Sequence, residues 1–227
     1  MKRKLLLLII IPFIFSLLSC QTKVRTDAMR IACIGDSLTY GMFLPFRSFN
    51  SYPSQLQKLL GASYQVKNFG IIGTTLQKEG NNPYWQQEGF TQSDDFAPSV
   101  VIIMLGSNDA KTINWKGEEI FLADARALVL HYQNLPSRPQ VILLTPPTAY
   151  SSSYSISEET LAIMSKGLVA LSKEMNIPFV DIHEKTAEHP QWFFFDGIHT
   201  NTFGAKAIAT ELYQKEFLLT HEEQLPK

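Results

Sequence analysis

Apolar and polar positions fall in blocks along this chain rather than alternating residue by residue. "MRIACIG" (29 to 35) is a short, almost wholly apolar run, and "SVVIIMLG" (99 to 106) is a continuous β-branched one, as expected of strands buried on both faces. "YQVKNFG" (64 to 70), "QVILLT" (140 to 145) and "PFVDI" (178 to 182) read as three further strands. Between them the apolar spacing lengthens to that of helices: 52 to 61, closed by Gly61, then Glu118 to about Asn134, Ser157 to Met175, and about Thr202 to Leu219. A parallel pair of strands cannot be joined by a hairpin, so strands separated by helices predict crossovers. The expected architecture is a three-layer α/β/α sandwich around a five-stranded parallel sheet.

The least regular stretch, residues 74 to 98, is too long and polar for a simple connection and reads as a loop insertion over one end of the sheet. In open sheets of this kind ligands sit outside the carboxyl ends of the strands, where the order of the strands reverses. That directs attention to the loops after Ile34, Phe69, Leu105 and Ile182.

The 227 residues, 45% of them hydrophobic, suffice for one filled core but are short for two domains. The N-terminus "MKRKLLLLIIIPFIFSLLSC" joins a basic start to an apolar run from Leu5 to Leu18, too short for a comfortable membrane span and suited to an export signal. "LLSC" resembles the lipobox of bacterial lipoproteins, although Leu18 stands where a smaller residue is usual. The resemblance implies a signal peptide over 1–19, lipidation at Cys20 and a tether over 20–28. It places the protein in the cell envelope, on the membrane through its lipid only. A plain secretory signal or an uncleaved anchor is the alternative. Without Lys2, Arg3 and Lys4 the chain keeps 17 basic against 21 acidic residues, a net −4, and no basic footprint for nucleic acid. Cys33, left without a partner, reads as a small buried apolar residue.

Three strand ends carry small polar signatures, "GDSLT", "NFGIIGTT" and "GSND", and a fourth, "DGIH", precedes the last helix. A hydrolytic serine needs a tight turn, a base for its proton, and donors where an oxyanion forms. The four segments contain a candidate for each. Together they resemble the blocks of the SGNH hydrolase superfamily, the GDSL esterases and lipases, from Met29 to about Phe217, within a domain of 29–220 and a tail of 221–227. The blocks are Gly35-Asp36-Ser37-Leu38, the turn ending at Gly73, Gly106-Ser107-Asn108-Asp109, and Asp196-Gly197-Ile198-His199. The resemblance implies a flavodoxin-like fold, Ser37 as nucleophile, His199 as its base and later acid, and Asp196 to orient the imidazole. It implies an oxyanion hole of Ser37 N–H, Gly73 N–H and the Asn108 side chain. Residues three apart in a helical turn face the same way, which accounts for the spacing of Asp196 and His199. Ordinary turn geometry remains an alternative for Gly70 and Gly73, and the chain departs from the family in having Thr74 where aspartate is common.

Asp36 reads as a helix cap or a bond to the turn rather than a catalytic group. Asp109 is expected to brace its loop. His131, His183, His189 and His221 lack ligand spacing and read as surface or loop residues; nothing calls for a metal or other cofactor. Nor is there the G-x-S-x-G elbow of the α/β-hydrolases or a nucleotide-binding glycine loop. The acyl-transfer machinery does not choose a substrate. Tyr84 and Trp85 in the insertion, and Trp115 after "GSND", carry flat rings beside amides that suit sugar faces, and stand as candidate substrate-lining residues against the plainer reading of loop packing. With the look of the bacterial carbohydrate and sialate O-acetylesterases, the chain is expected to remove acetyl or short acyl groups from glycans. A lysophospholipase or thioesterase is the alternative enzyme, and a catalytically inactive glycan-binding lipoprotein the alternative of another class.

Overall fold

Strand β1 (Met29–Gly35) lies between β2 (Tyr64–Gly70) and β3 (Val100–Met104), and β4 (Gln140–Leu144) and β5 (Phe179–Val180) extend the sheet beyond β3. All neighbours are parallel, in the order β2-β1-β3-β4-β5. The computed structural model describes Arg25 and residues 27–215. The expected signal segment, Cys20, His221 and the tail lie outside the described residues.

Among the described residues eight helices accompany the strands: α1 (Ser37–Tyr40), α2 (Arg47–Asn50), α3 (Tyr52–Leu60), α4 (Glu88–Asp95), α5 (Glu118–Gln133), α6 (Glu158–Glu174), α7 (Ile182–Thr186) and α8 (Thr202–Tyr213). Side chains alternate across a strand, so each central strand feeds two cores. Ala32, Ile34, Val101 and Ile103 pack with Phe121, Leu128 and Leu168 of α5 and α6. Ile31, Cys33, Val100 and Ile102 pack with Leu56, Ile208 and Leu212 of α3 and α8. Each Val, Ile, Leu or Phe side chain taken fully out of water stabilises the fold by about 1.5–3 kcal/mol. The sandwich and the five-stranded parallel sheet are those the sequence predicts.

Three boundaries differ, one of them at α8, which ends at Tyr213 rather than about Leu219. The insertion is not all loop, since it contains α4 and a 3-10 turn at Tyr84–Gln86. The α4 sequence "EGFTQSDD" has only one large apolar residue, Phe90, which packs against the first core. The last strand is shorter than expected because Asp181 caps α7, accepting from Glu184 N at 3.0 Å and turning Ile182 into a helix.

The register sets the position of the site. Gly35 lies opposite Gly70 on one side and Met104 on the other, so β1, β2 and β3 end together. The order of strands reverses between β1 and β3, and the crevice opens there.

Candidate active site

Ser37 is the first residue of α1, a single helical turn directly after β1. Asp36 caps that turn by accepting from Leu38 N at 2.9 Å, and Gly41, at φ 87°, closes it. The turn lies so close on β2 that a Cβ at Gly70 would stand 2.3 Å from Tyr40 N, so close approach, not turn conformation, requires that glycine. Asn68 fixes the contact by donating to Thr39 O at 2.7 Å and accepting from Gly70 N at 2.9 Å.

His199 Nε2 lies 2.9 Å from Ser37 Oγ, and His199 Nδ1 lies 2.6 Å from Asp196 Oδ2. All three side chains are buried. The segment carrying the acid and the imidazole is not a helical turn. Gly197 sits at φ 67°, and Asp196 Oδ1 accepts from Ile198 N and His199 N, each at 3.0 Å. An aspartate bonding its own backbone two and three residues on brings it to His199 here, where helical spacing was the expected device. Phe194 N donates to His199 O at 2.8 Å and closes the loop. Burial works against the Asp196 charge, but the His199 contact and the two amides outweigh it and hold the carboxyl below the usual range.

Ser37, Gly73 and Asn108, the expected oxyanion donors, line one cavity. Among the described residues the amides of Ser37 and Gly73 donate to no protein acceptor. Gly73 has φ 79°, a conformation that favours glycine, and its absent Cβ would meet only Asn82 Nδ2 at 3.7 Å. Asn108 Nδ2 donates to Thr74 O at 3.1 Å and stands 3.5 Å from Asp36 Oδ2. Thr74, in the place of the family's aspartate, donates through its hydroxyl to Ile71 O at 2.9 Å.

Below these donors lies a layer of buried polar residues. Asp109 accepts from Leu76 N at 2.8 Å and Gln77 N at 2.7 Å, bracing the insertion against β3. Burial pushes its carboxyl up to about 7, and that of Asp36 up to about 6. Gln77, which sequence reasoning missed, and Asn114, expected only as an amide beside the Trp115 ring, extend the layer: Asn114 Nδ2 donates to Asn108 O at 2.8 Å, and Gln77 Nε2 to Asn114 O at 2.6 Å. Neither lies in a recognisable motif, so only their convergence in space reveals them.

A cavity of about 110 Å³ opens at Ser37, Gly73, Asn108 and His199, walled by Met42, Ile72, Ile156 and Ile198 with Lys111 and Tyr154 at its edge. The apolar wall residues carry no sequence signature of a site. The candidate aromatic lining is corrected. Tyr84 is fully buried and donates its hydroxyl to Phe69 O at 2.9 Å; Trp85 donates to Leu76 O at 2.8 Å and packs on Phe90; Trp115 packs on Phe121. None borders the cavity, because their rings fasten the insertion and the following loop to the core. His131 and His183 lie in helices beside Asp94 and Glu158, at 3.0 and 2.8 Å, rather than on open surface. Among the described residues no cluster of His, Cys, Asp or Glu could hold a metal ion.

A serine, an imidazole and a carboxylate hydrogen-bonded in a row beside a cavity can perform acyl transfer. The chain belongs to the GDSL-like Lipase/Acylhydrolase family, whose model matches residues 33–207. It is 30% identical over 206 aligned positions to an acetylxylan esterase of Xylanibacter ruminicola, a match covering 82% of this chain and 42% of that relative. The chain spans about half the length of the curated relatives it matches. Its fold is shared with an aryl esterase of M. smegmatis (TM-score 0.67, 21% identity, covering 88% of this chain and 100% of that one). It is shared also with Est24, a carbohydrate acetylesterase from Sinorhizobium meliloti (TM-score 0.68, 20% identity, 84% and 99%).

Proposed function

We propose that the protein is a serine esterase that removes acetyl or other short acyl groups from carbohydrates. The observation that carries this reading is the cavity of about 110 Å³ beside Ser37, below the roughly 300–1,000 Å³ of sites for whole small molecules and suited to a short acyl group. The acetylxylan esterase and carbohydrate acetylesterase among its relatives support the sugar side of the ester.

Ser37 Oγ attacks the ester carbonyl as its proton passes to His199 Nε2. Asp196 accepts the Nδ1 proton in its hydrogen bond and stabilises the imidazolium without taking the proton. The carbonyl oxygen, now anionic, receives hydrogen bonds from Ser37 N, Gly73 N and Asn108 Nδ2. Collapse breaks the bond to the sugar oxygen, which takes the proton from His199. Water then attacks the acyl-serine by the same route in reverse, releasing the acid and restoring Ser37.

Acetate release from acetylated glycans, compared with fatty acid release from lysophospholipids, tests the reading. Preferential release of acetate is expected, and preference for long chains overturns it. The reading includes export and a lipid at Cys20, tested by fatty-acid labelling that Cys20→Ser should abolish.

A further inference from the structure

Resting on that esterase reading, we infer that residues 149–158, between β4 and α6, form the carbohydrate subsite, so that the acyl group and the sugar occupy two separate hollows. The second hollow, about 530 Å³, is lined by Thr112, Tyr150 and Ser151, Ser152, Ser155 and Ser157 among others. A single ridge divides it from the acyl cavity: the antiparallel bridge between Lys111 and Ile156, with Ser157 N donating to Ala110 O at 3.1 Å. Ile156 lines both hollows, while Lys111 and Tyr154 line the small one and their chain neighbours Thr112 and Ser155 the large one. An ester held at Ser37 thus has one short crossing to the larger space.

The chemistry of the two spaces differs as the two halves of an acetylated sugar do. The small one is walled by Met42, Ile72, Ile156 and Ile198, with Lys111 and Tyr154 beside them. The large one presents hydroxyls and no Lys or Arg side chain. Its carboxylate, Glu158, is engaged by Ala149 N at 2.6 Å and by His183 Nε2 at 2.8 Å. A phosphate headgroup would meet no cation there, whereas a neutral polyol would meet a row of donors and acceptors.

The segment is also tied to the reacting groups. Ser151 Oγ donates to Asp196 O at 2.5 Å, and Tyr150 N to Gly197 O at 2.8 Å. Tyr154 and Ser155 hold successive left-handed conformations, φ 59° and 60°, which are uncommon for non-glycine residues. That geometry sets the half-exposed Tyr154 ring edge-on to His199, centroids 5.7 Å apart, above the ridge.

The test compares kcat/KM on acetylated xylo-oligosaccharides with kcat/KM on p-nitrophenyl acetate, for the full-length protein and its Thr112→Leu/Ser152→Leu variant. Both side chains are exposed, and the small ester reports whether the variant is folded. Loss of hydrogen bonds to sugar hydroxyls should lower the ratio of the two constants by at least about 10-fold. An unchanged or higher ratio overturns the subsite and leaves the esterase reading standing. A wild-type protein that cleaves p-nitrophenyl acetate and no acetylated oligosaccharide overturns both.

Discussion

Asn108 and Asp36, 72 positions apart in the chain, meet beside Ser37, Asn108 Nδ2 standing 3.5 Å from Asp36 Oδ2 while it donates to Thr74 O. Asp36 thus braces a donor as well as capping α1. Asp36→Asn keeps an acceptor for Leu38 N but turns an amide donor toward Asn108. We expect kcat on p-nitrophenyl acetate to fall about 10-fold with KM little changed, less than the 10² to 10³-fold expected of Asn108→Ala. An unchanged kcat in Asp36→Asn would separate the two residues functionally.

Ser37→Ala should lower the rate by at least about 10³-fold, since it removes the hydroxyl that lies 2.9 Å from His199 Nε2. Asp196→Asn should cost about as much, because an amide facing Nδ1 no longer selects the tautomer that leaves Nε2 free for the serine proton. Steady-state rates set both values, and wild-type-like turnover in Ser37→Ala would refute the mechanism.

Two buried carboxyls give stability an unusual dependence on pH. Asp36 and Asp109 are pushed up to about 6 and about 7 by burial, so the folded state holds their protons over a range where the unfolded chain has released them. Stability from these two groups is therefore full below about 4 and is lost as pH rises through 6 and 7. Asp196, held below the usual range, acts in the opposite sense, its contribution being lost only at lower pH. Urea unfolding between pH 4.5 and 8 should show resistance declining with pH; a steady rise would refute the assignment.

Tyr84 serves packing, so Tyr84→Phe should lower stability by about 1–2 kcal/mol through the lost bond to Phe69 O and leave kcat/KM unchanged. Thermal unfolding and initial rates check the two parts separately. A large change in KM would return this residue to the substrate site.

Gly70 and Gly73, three residues apart, should respond differently to alanine. A Cβ at Gly70 meets backbone at 2.3 Å and has nowhere to go, so Gly70→Ala should fail to reach the native state. Gly73→Ala meets only Asn82 Nδ2 at an ordinary 3.7 Å and the strain of φ 79°, about 1–2 kcal/mol, but any relief of that strain turns the amide proposed to bind the oxyanion. Soluble yield and kcat distinguish the cases: Gly73→Ala should fold and turn over more slowly.

The sequence by itself determined the sheet, because continuous apolar runs such as 100–104 and helical spacing such as 118–133 depend on local periodicity. It also made Ser37, Gly73, Asn108, Asp196 and His199 legible as candidates, since each sits in a short block whose spacing reflects a local turn. Helix α4 was hidden because its apolar content is one phenylalanine, and its place is decided by packing. The roles of Tyr84, Trp85 and Trp115 were hidden for the converse reason, as an aromatic ring in a polar loop reads alike whether it faces a ligand or the core. Only the tertiary structure decided that, by pairing Tyr84 with Phe69 and Trp85 with Leu76. It alone assembled Asn114, Gln77 and Asp109 beneath the donors and set Ser151 and Tyr154 against the Asp196–His199 turn. Those contacts join segments distant in the chain, and no local pattern encodes a distance between them.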